Sequence, residues 1–224
     1  MPTHALIPVK HLYDSKRRLA HLLSAEVRAG LIGRFLDNLL LTLNATPGID
    51  RALVVTCDPA VVHLARRRGA DVLLEPAADG LNTAAARGAA HALAGGASAV
   101  LLLPADLPFA RVEDIEAMLR EVPGSRFQVP GGERSSLAPG PWPLAPLLAI
   151  CPDETEDGTN ALLLAPPGDF TFRYGPGSFR AHLAEAERRG RPAHVVPAPG
   201  LRFDLDTESD WLVYNGYLVG VGEE

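Results

Sequence analysis

The sequence predicts an α/β layered fold, and two observations carry that expectation. Short apolar runs alternate with amphipathic stretches along most of the chain, the pattern of strands packed between helices. The most strand-like run, Ala99-Val100-Leu101-Leu102-Leu103, ends in an acidic turn and is followed by a helical pattern from Val112.

The elements follow in order. Thr3 to Val9 reads as a first strand. Ser24 is placed to cap a helix with Val27, Leu31, Phe35, Leu39 and Leu43 on its apolar face, spaced by fours. Pro47-Gly48 closes it, and Arg51 to Thr56 forms the next strand. Asp58-Pro59 is an N-cap with proline at the first helical position, and Gly69 ends that helix after a basic triplet that complements the helix dipole. Ala70 to Leu74 is a short strand, Asn82 to Leu93 a helix, and Gly95-Gly96 its stop. Beyond the helix from Val112, Leu147 to Cys151 and Asn160 to Leu164 read as strands. Ser178 caps a helix ending at Gly190, and His194 to Val196 and Leu201 to Leu205 are strands. Thr207 with Asp210 starts a last helix through a capping box.

One segment breaks the rhythm. Pro123 to Pro146 holds six prolines and little periodicity, so an interior strand is excluded there. Such a stretch is either a lid or an insertion; its lack of a charge run suited to clamping phosphate favours an insertion.

Composition narrows the function. A chain of 224 residues can bury a real core as one domain. Its apolar runs are too short for a membrane span, and its N-terminus lacks the pattern of a signal peptide. Cys57 and Cys151 are far apart with no CxxC spacing, which argues against a zinc site or disulfide framework and fits a cytoplasmic location. The net charge of −6 argues against a nucleic-acid partner, which would need a broad basic surface.

The chemistry-bearing residues are acids and a basic loop. In Arg202-Phe203-Asp204-Leu205-Asp206-Thr207, strand periodicity puts Asp204 and Asp206 on one side and Phe203 and Leu205 on the other. Two carboxylates held that close repel unless a cation or a proton intervenes. Asp106, in Leu103-Pro104-Ala105-Asp106-Leu107-Pro108, stands in a comparable setting. Three oxygen donors at strand ends suit magnesium or manganese; singly, Asp206 could only begin a helix and Asp106 only cap a turn. Lys10 and Lys16-Arg17-Arg18 follow the first strand, where open α/β sheets bind ligands. They can hold a triphosphate, or they can form a solvated helix start. Asn82, in Leu81-Asn82-Thr83, offers a polar amide entering a helix, and by itself reads better as a plain N-cap. Gly175-Pro176-Gly177-Ser178 leads into a helix N-terminus that can attract an anion. Thr159-Asn160 adds a hydroxyl and an amide at a strand start.

The ordered set Pro8-Val9-Lys10, Ser15-Lys16-Arg17-Arg18-Leu19, Leu81-Asn82, Pro104-Ala105-Asp106-Leu107-Pro108, Gly158-Thr159-Asn160-Ala161-Leu162, Gly175-Pro176-Gly177-Ser178-Phe179 and Asp204-Leu205-Asp206-Thr207 resembles the guanylyltransferases of deazaflavin coenzyme F-420 biosynthesis. Those enzymes act on 2-phospho-L-lactate or phosphoenolpyruvate. The resemblance runs from Ala5 to about Trp211 and implies a Rossmann-like nucleotidyltransferase fold, a mostly parallel sheet flanked by helices. It implies Mg2+ held by Asp106, Asp204 and Asp206, and a catalytic set of Lys16, Arg18 and Asp106. Lys10 and Asn82 would bind GTP, with Asn82 near the guanine; Thr159, Gly175 and Ser178 would hold the acceptor acid. The partners implied are small molecules, with a homodimer allowed for. The 123–146 stretch is longer than the family usually has. Two rivals are a nucleotide-sugar-dependent glycosyltransferase and a non-catalytic nucleotide-binding scaffold.

Overall fold

The structure, a computed structural model, describes residues 1–122 and 146–221, the last five as backbone only. Seven strands form one sheet in the order β3-β2-β1-β4-β6-β5-β7. They are β1 (Thr3–Val9), β2 (Arg51–Thr56), β3 (Asp71–Leu74), β4 (Ala99–Leu102), β5 (Leu147–Pro152), β6 (Thr159–Ala165) and β7 (Ala193–Val195). β6 runs antiparallel to its neighbours β4 and β5, and the other pairings are parallel. The mostly parallel α/β sheet expected from the sequence is therefore present. The Pro-rich segment lies outside the described residues except for Pro146.

Helices cover both faces, and alternation along the strands builds a core on each side. Ala5, Ile7 and Val9 of β1, with Leu101 of β4, belong to one core; Leu6, Val100 and Leu102 belong to the other. The first core takes α1 (Ala25–Ala45), α2 (Pro59–Arg67) and α4 (Val112–Arg120), together with α6 (Pro199–Arg202) and α7 (Glu208–Val221). The second takes α3 (Leu81–Ala94) and α5 (Ser178–Arg188). α3 faces the sheet with Ala84, Ala85, Gly88, Ala89 and Ala92. These small residues let its axis lie close to the strands; a Cβ at Gly88 would come 2.3 Å from Leu6 Cδ1.

The caps follow local chemistry. Ser24 accepts from the Val27 N–H at 3.3 Å, and Asp58 accepts from that of Ala60 at 2.8 Å. Gly69 turns the chain out of α2 with φ +76°. Thr207 and Asp210 exchange the expected capping bonds, the Thr207 N–H giving to Asp210 Oδ2 at 2.6 Å and the Asp210 N–H to Thr207 Oγ1 at 3.3 Å.

Three expectations are corrected. Leu201 to Leu205 is not a strand. Pro199–Arg202 forms the single turn α6, because proline suits the first helical position, and residues 203–206 then run outside the sheet. The period-two alternation survives: Phe203 and Leu205 are buried while Asp204 and Asp206 are partly exposed. Ser178 does not cap α5; Gly177, at φ +71°, does, and Ser178 is the first helical residue. The apolar face of α1 is rotated, so that Val27 is 47% exposed. Ile32, Phe35, Leu36, Leu39, Leu40 and Leu43 face the core instead, a three-and-four spacing where strict fours drift around the helix.

Asp114 ties α4 to α6. Its carboxylate accepts from the N–H of Arg111 and of Gly200, each at 3.1 Å. A Cβ on Gly200 would stand 2.2 Å from Asp114 Oδ2 and 2.4 Å from the Phe109 carbonyl oxygen. Gly200→Ala is expected to cost about 1–3 kcal/mol through overpacking, lowering the melting temperature by several degrees. An unchanged melting curve would show that α6 can move away at no cost.

Candidate active site

The acidic cluster forms where β4 ends and the chain returns after α6. The Leu205 N–H reaches the Asp106 carbonyl at 3.4 Å, joining the two segments. Phe203 is fixed from behind by Phe109, with ring centroids 5.0 Å apart, and Tyr214 of α7 meets Phe35 of α1 edge-on at 5.3 Å. Anchored this way, one carboxylate oxygen from each of Asp106, Asp204 and Asp206 lies within 4.8 Å of the others.

Lys16 enters this cluster from the loop after β1. It lies between two 3-10 turns, Leu12–Asp14 and Arg17–Leu19, with left-handed backbone angles (φ 52°, ψ 41°) that few non-glycine residues adopt. Its ammonium donates to Asp106 Oδ2 at 2.5 Å and Asp206 Oδ1 at 2.6 Å, and its side chain is only 4% exposed. Burial alone would lower the Lys16 pKa, but Asp106 and Asp206 outweigh it and hold the ammonium above its ordinary value. Burial would likewise raise Asp206, yet Lys16, helped by Arg18 at 3.7 Å, brings it below the usual carboxylate range. Asp204 is pushed up to about 6 by burial, then by the Asp106 and Asp206 charges, against a hydrogen bond from Asn160.

The cluster fits a hard divalent cation. Three carboxylates gather around one buried ammonium, and Asp106 Oδ1 is buried with no hydrogen-bond partner among the described residues, an orphaned acceptor suited to oxygen-ligand chemistry.

Beside the acids, at the C-terminal ends of β1 to β4, lies a cavity of about 380 Å³. Lys10, Ser15, Lys16, Asp106 and Asp206 line one part of it. Lys10 is exposed, with no ion-pair partner among the described residues. Arg17 pairs outward with Asp14. Glu75, Ala78 and Gly80 line the part toward β3. Sequence reasoning missed Glu75; its signal is an acid directly after a strand, in Leu74-Glu75-Pro76, the setting that had drawn attention to Asp106.

The other expected site residues stand elsewhere. Asn82 does not line the cavity; its Nδ2 donates to the Tyr174 carbonyl at 3.1 Å and its Oδ1 accepts the Tyr174 N–H at 2.7 Å. Both ends of the amide thus tie α3 to the segment before α5. Thr159 begins β6 next to Asn160, whose Nδ2 reaches Asp204 Oδ1 at 3.1 Å. The hydroxyls of Thr159 and Ser178 are buried against each other at 3.3 Å. Gly175 has φ +133° and accepts from the Ser178 N–H, while Asp157 takes the N–H of Gly177 and, through its carbonyl, that of Phe179. Asp157 therefore already accepts two of the N–H donors that this helix start was expected to offer an anion.

His182 completes the buried network. Its Nε2 accepts the Arg173 N–H at 2.9 Å, which leaves the proton on Nδ1 to be donated to Thr159 Oγ1 at 3.0 Å. Burial pushes its pKa down to about 4, with Glu185 opposing.

A mostly parallel Rossmann-like sheet with acids and a buried lysine gathered beside its strand ends defines a nucleotidyltransferase, and comparison with known proteins agrees. A nucleotidyl transferase from Methanothermobacter superposes with a TM-score of 0.61 at 14% identity, covering 98% of this chain and 99% of that one. The sequence profile of the guanylyl transferase CofC-like family matches residues 3–127, and the chain belongs to that family. It is 41% identical to a phosphoenolpyruvate guanylyltransferase of Rubrobacter xylanophilus, covering 94% of this chain and 92% of that one. With the enzyme of that name from Sphaerobacter thermophilus it shares 37% identity, over 94% and 91% of the two chains.

His182 gives a pH test. Its folded pKa of about 4 lies below the ordinary 6.5, so the unfolded chain binds the extra proton first as pH falls. The stabilisation is complete above about pH 6.5 and lost as pH drops through 4, roughly 3 kcal/mol in all. His182→Asn, which does not titrate, should unfold in urea with less loss of stability between pH 6.5 and 4 than the wild-type chain. Equal losses would show that His182 is protonated in the fold.

Proposed function

We propose that the protein transfers GMP from GTP to a phosphorylated three-carbon acid, phosphoenolpyruvate first and 2-phospho-L-lactate next, releasing pyrophosphate in coenzyme F-420 biosynthesis. The observation that carries this reading is the convergence of Asp106, Asp204, Asp206 and Lys16 beside a nucleotide-sized cavity. The names of the relatives support the acceptor.

In this reading Lys10, Lys16 and Arg18 face the triphosphate, and their charge offsets what develops on the departing pyrophosphate. Mg2+ bound by Asp106, Asp204 and Asp206 would polarise phosphoryl oxygens as a Lewis acid. Asn160 holds Asp204 in place. The acceptor's own phosphate is the nucleophile, so the protein's task is positioning and charge, with no side chain attacking. Thr159, Gly175 and Ser178 form the acceptor end in this reading, supported by the closeness of β6 to Asp204 through Asn160, and an incoming anion there would take over the helix-start N–H groups that Asp157 now holds. Asn82 contributes to the GTP site from the first turn of α3, next to Leu81, which lines the cavity. Residues 1–224 act as one domain on small-molecule substrates in the cytoplasm; no helix among the described residues is long and apolar enough to cross a membrane.

The test crosses GTP and ATP with phosphoenolpyruvate, 2-phospho-L-lactate and 3-phosphoglycerate, measuring pyrophosphate and the product mass. Turnover with ATP but not GTP, or with no pair, overturns the reading. Asp106→Asn and Asp206→Asn are each expected to slow turnover roughly a thousandfold, since several kcal/mol of charge stabilisation is lost. Near-wild-type pyrophosphate release by either folded variant would remove that carboxylate from the site.

The 123–146 segment is proposed to be an insertion. Replacing it by a short glycine-containing turn should leave pyrophosphate release intact, because loop length itself costs little. A folded but inactive deletion would make the segment part of the machinery.

A further inference from the structure

The cavity has a second charged group that phosphate chemistry leaves unused. Glu75 follows β3 and lines the cavity, yet it is only 8% exposed. A buried carboxylate needs a reason to be there. Arg87 of α3 holds it from one side, Nη1 donating to Glu75 Oε1 at 2.9 Å, and Arg87 Nη2 is itself paired with Asp79 at 2.8 Å. Glu75 Oε2 has no hydrogen-bond partner among the described residues. The carboxylate is thus fixed in place by Arg87, with acceptor capacity to spare.

Its position within the sheet is specific. Lys10 and Lys16 follow β1 and Asp106 follows β4, whereas Glu75 follows β3, three neighbours from β4 in the order β3-β2-β1-β4. At ~4.8 Å per strand spacing, that is about 14 Å. A nucleotide whose phosphates meet Lys10 and Lys16 would carry its base toward β3. The walls there are Val55, Ala78, Gly80, Leu81 and Ala84, small or aliphatic residues that leave a slot for a flat ring. Gly80, at φ +93°, lets the chain turn into α3 without a side chain in that slot.

An ionised carboxylate only accepts hydrogen bonds. Guanine alone among the four common bases puts two donors side by side on one edge, the N1–H and the N2 amine. Adenine and cytosine place a ring acceptor beside their amine, and uracil offers a single N–H between two carbonyls. We propose that Glu75 selects guanine, its carboxylate accepting the N1–H and the N2 amine of the base, with Arg87 as the residue that positions it. This rests on the guanylyltransferase reading and names the group that would make it specific for the base.

Binding of GTP, inosine triphosphate and xanthosine triphosphate is measured by calorimetry with magnesium and no acceptor. Inosine triphosphate lacks the N2 amine, and the wild-type protein should bind it about tenfold or more weaker than GTP. Xanthosine triphosphate presents a carbonyl in place of that amine and should be rejected more strongly. In Glu75→Gln the amide offers one donor and one acceptor, so the order should reverse, with xanthosine triphosphate bound better than GTP. Equal wild-type affinities for GTP and inosine triphosphate overturn the assignment even if the variant does not fold. A folded Glu75→Gln that keeps the wild-type order, or binds none of the three, also overturns it. Acceptor-dependent pyrophosphate release by the wild-type protein is run in parallel: its absence with every nucleotide defeats the enzymatic reading, whereas GTP turnover with no response to the swap defeats Glu75 alone.

Discussion

A buried ammonium between two carboxylates is the contact that brings the ends of this fold together. Lys16 meets Asp106 across 90 positions of sequence and Asp206 across 190. It joins the loop after the first strand to the turn after the fourth and to the return segment before the last helix. Three carboxylates gathered within a few ångströms repel, so their proximity must be paid for by a cation and by packing that holds them there. Lys16 supplies the first, with its methylene stem buried and its head placed where Asp106 and Asp206 meet. The imbalance left over is visible in Asp204, whose pKa of about 6 records burial first and the neighbouring charges second. The same imbalance that is unfavourable in the bare protein is what makes the cluster a good host for a hard cation.

Packing supplies the second requirement from a distance. Residues 203–206 have no ladder hydrogen bonds to hold them, since they lie outside the sheet. Their position comes instead from Phe203 against Phe109 and from Leu205 in the core. The Asp114 carboxylate adds to this by gripping Gly200 at the start of the turn. The capping bonds of Thr207 and Asp210 then launch α7, whose Tyr214 packs on Phe35. Asp204 and Asp206 are therefore placed by aromatic and capping contacts that lie behind the acidic cluster. Aromatic pairs have steep geometric preferences, which suits a segment that must hold two charges in register.

Local signals in the sequence carried most of the fold. Proline after Asp58, the serine before α1 and the Thr207–Asp210 pair each act over a few residues, so their spacing shows in the chain itself. The acids were legible for a similar reason: Asp204 and Asp206 alternate with apolar residues whether or not the segment joins a sheet. What stayed hidden depends on partners far away in sequence. Nothing local tells that Lys16 is buried while Arg17 turns outward to Asp14. Nor does anything local tell that Asn82 spends both ends of its amide on Tyr174. The Leu201–Leu205 expectation failed because alternation is a property of any extended segment, and only a neighbouring strand makes it a sheet.

The cavity divides its chemistry by strand. Toward β1 and β4 it presents charge, which would attract any nucleoside triphosphate and is indifferent to the base. Toward β3 it presents small apolar walls and a fixed carboxylate, which contribute little to the phosphates. Such a separation allows the two requirements to be met by different physical means. Charge stabilisation tolerates modest displacement, because Coulomb attraction falls slowly with distance. Hydrogen-bond selection does not, because a donor left without its acceptor in a buried site costs the whole desolvation of that group. The placement of the two groups matches this: Lys10 is exposed and unpaired among the described residues, while Glu75 is buried and bound to Arg87, which Asp79 holds in turn. The exposed cation would suit a phosphate chain that must leave, and the fixed carboxylate would suit a base that must be told from its competitors.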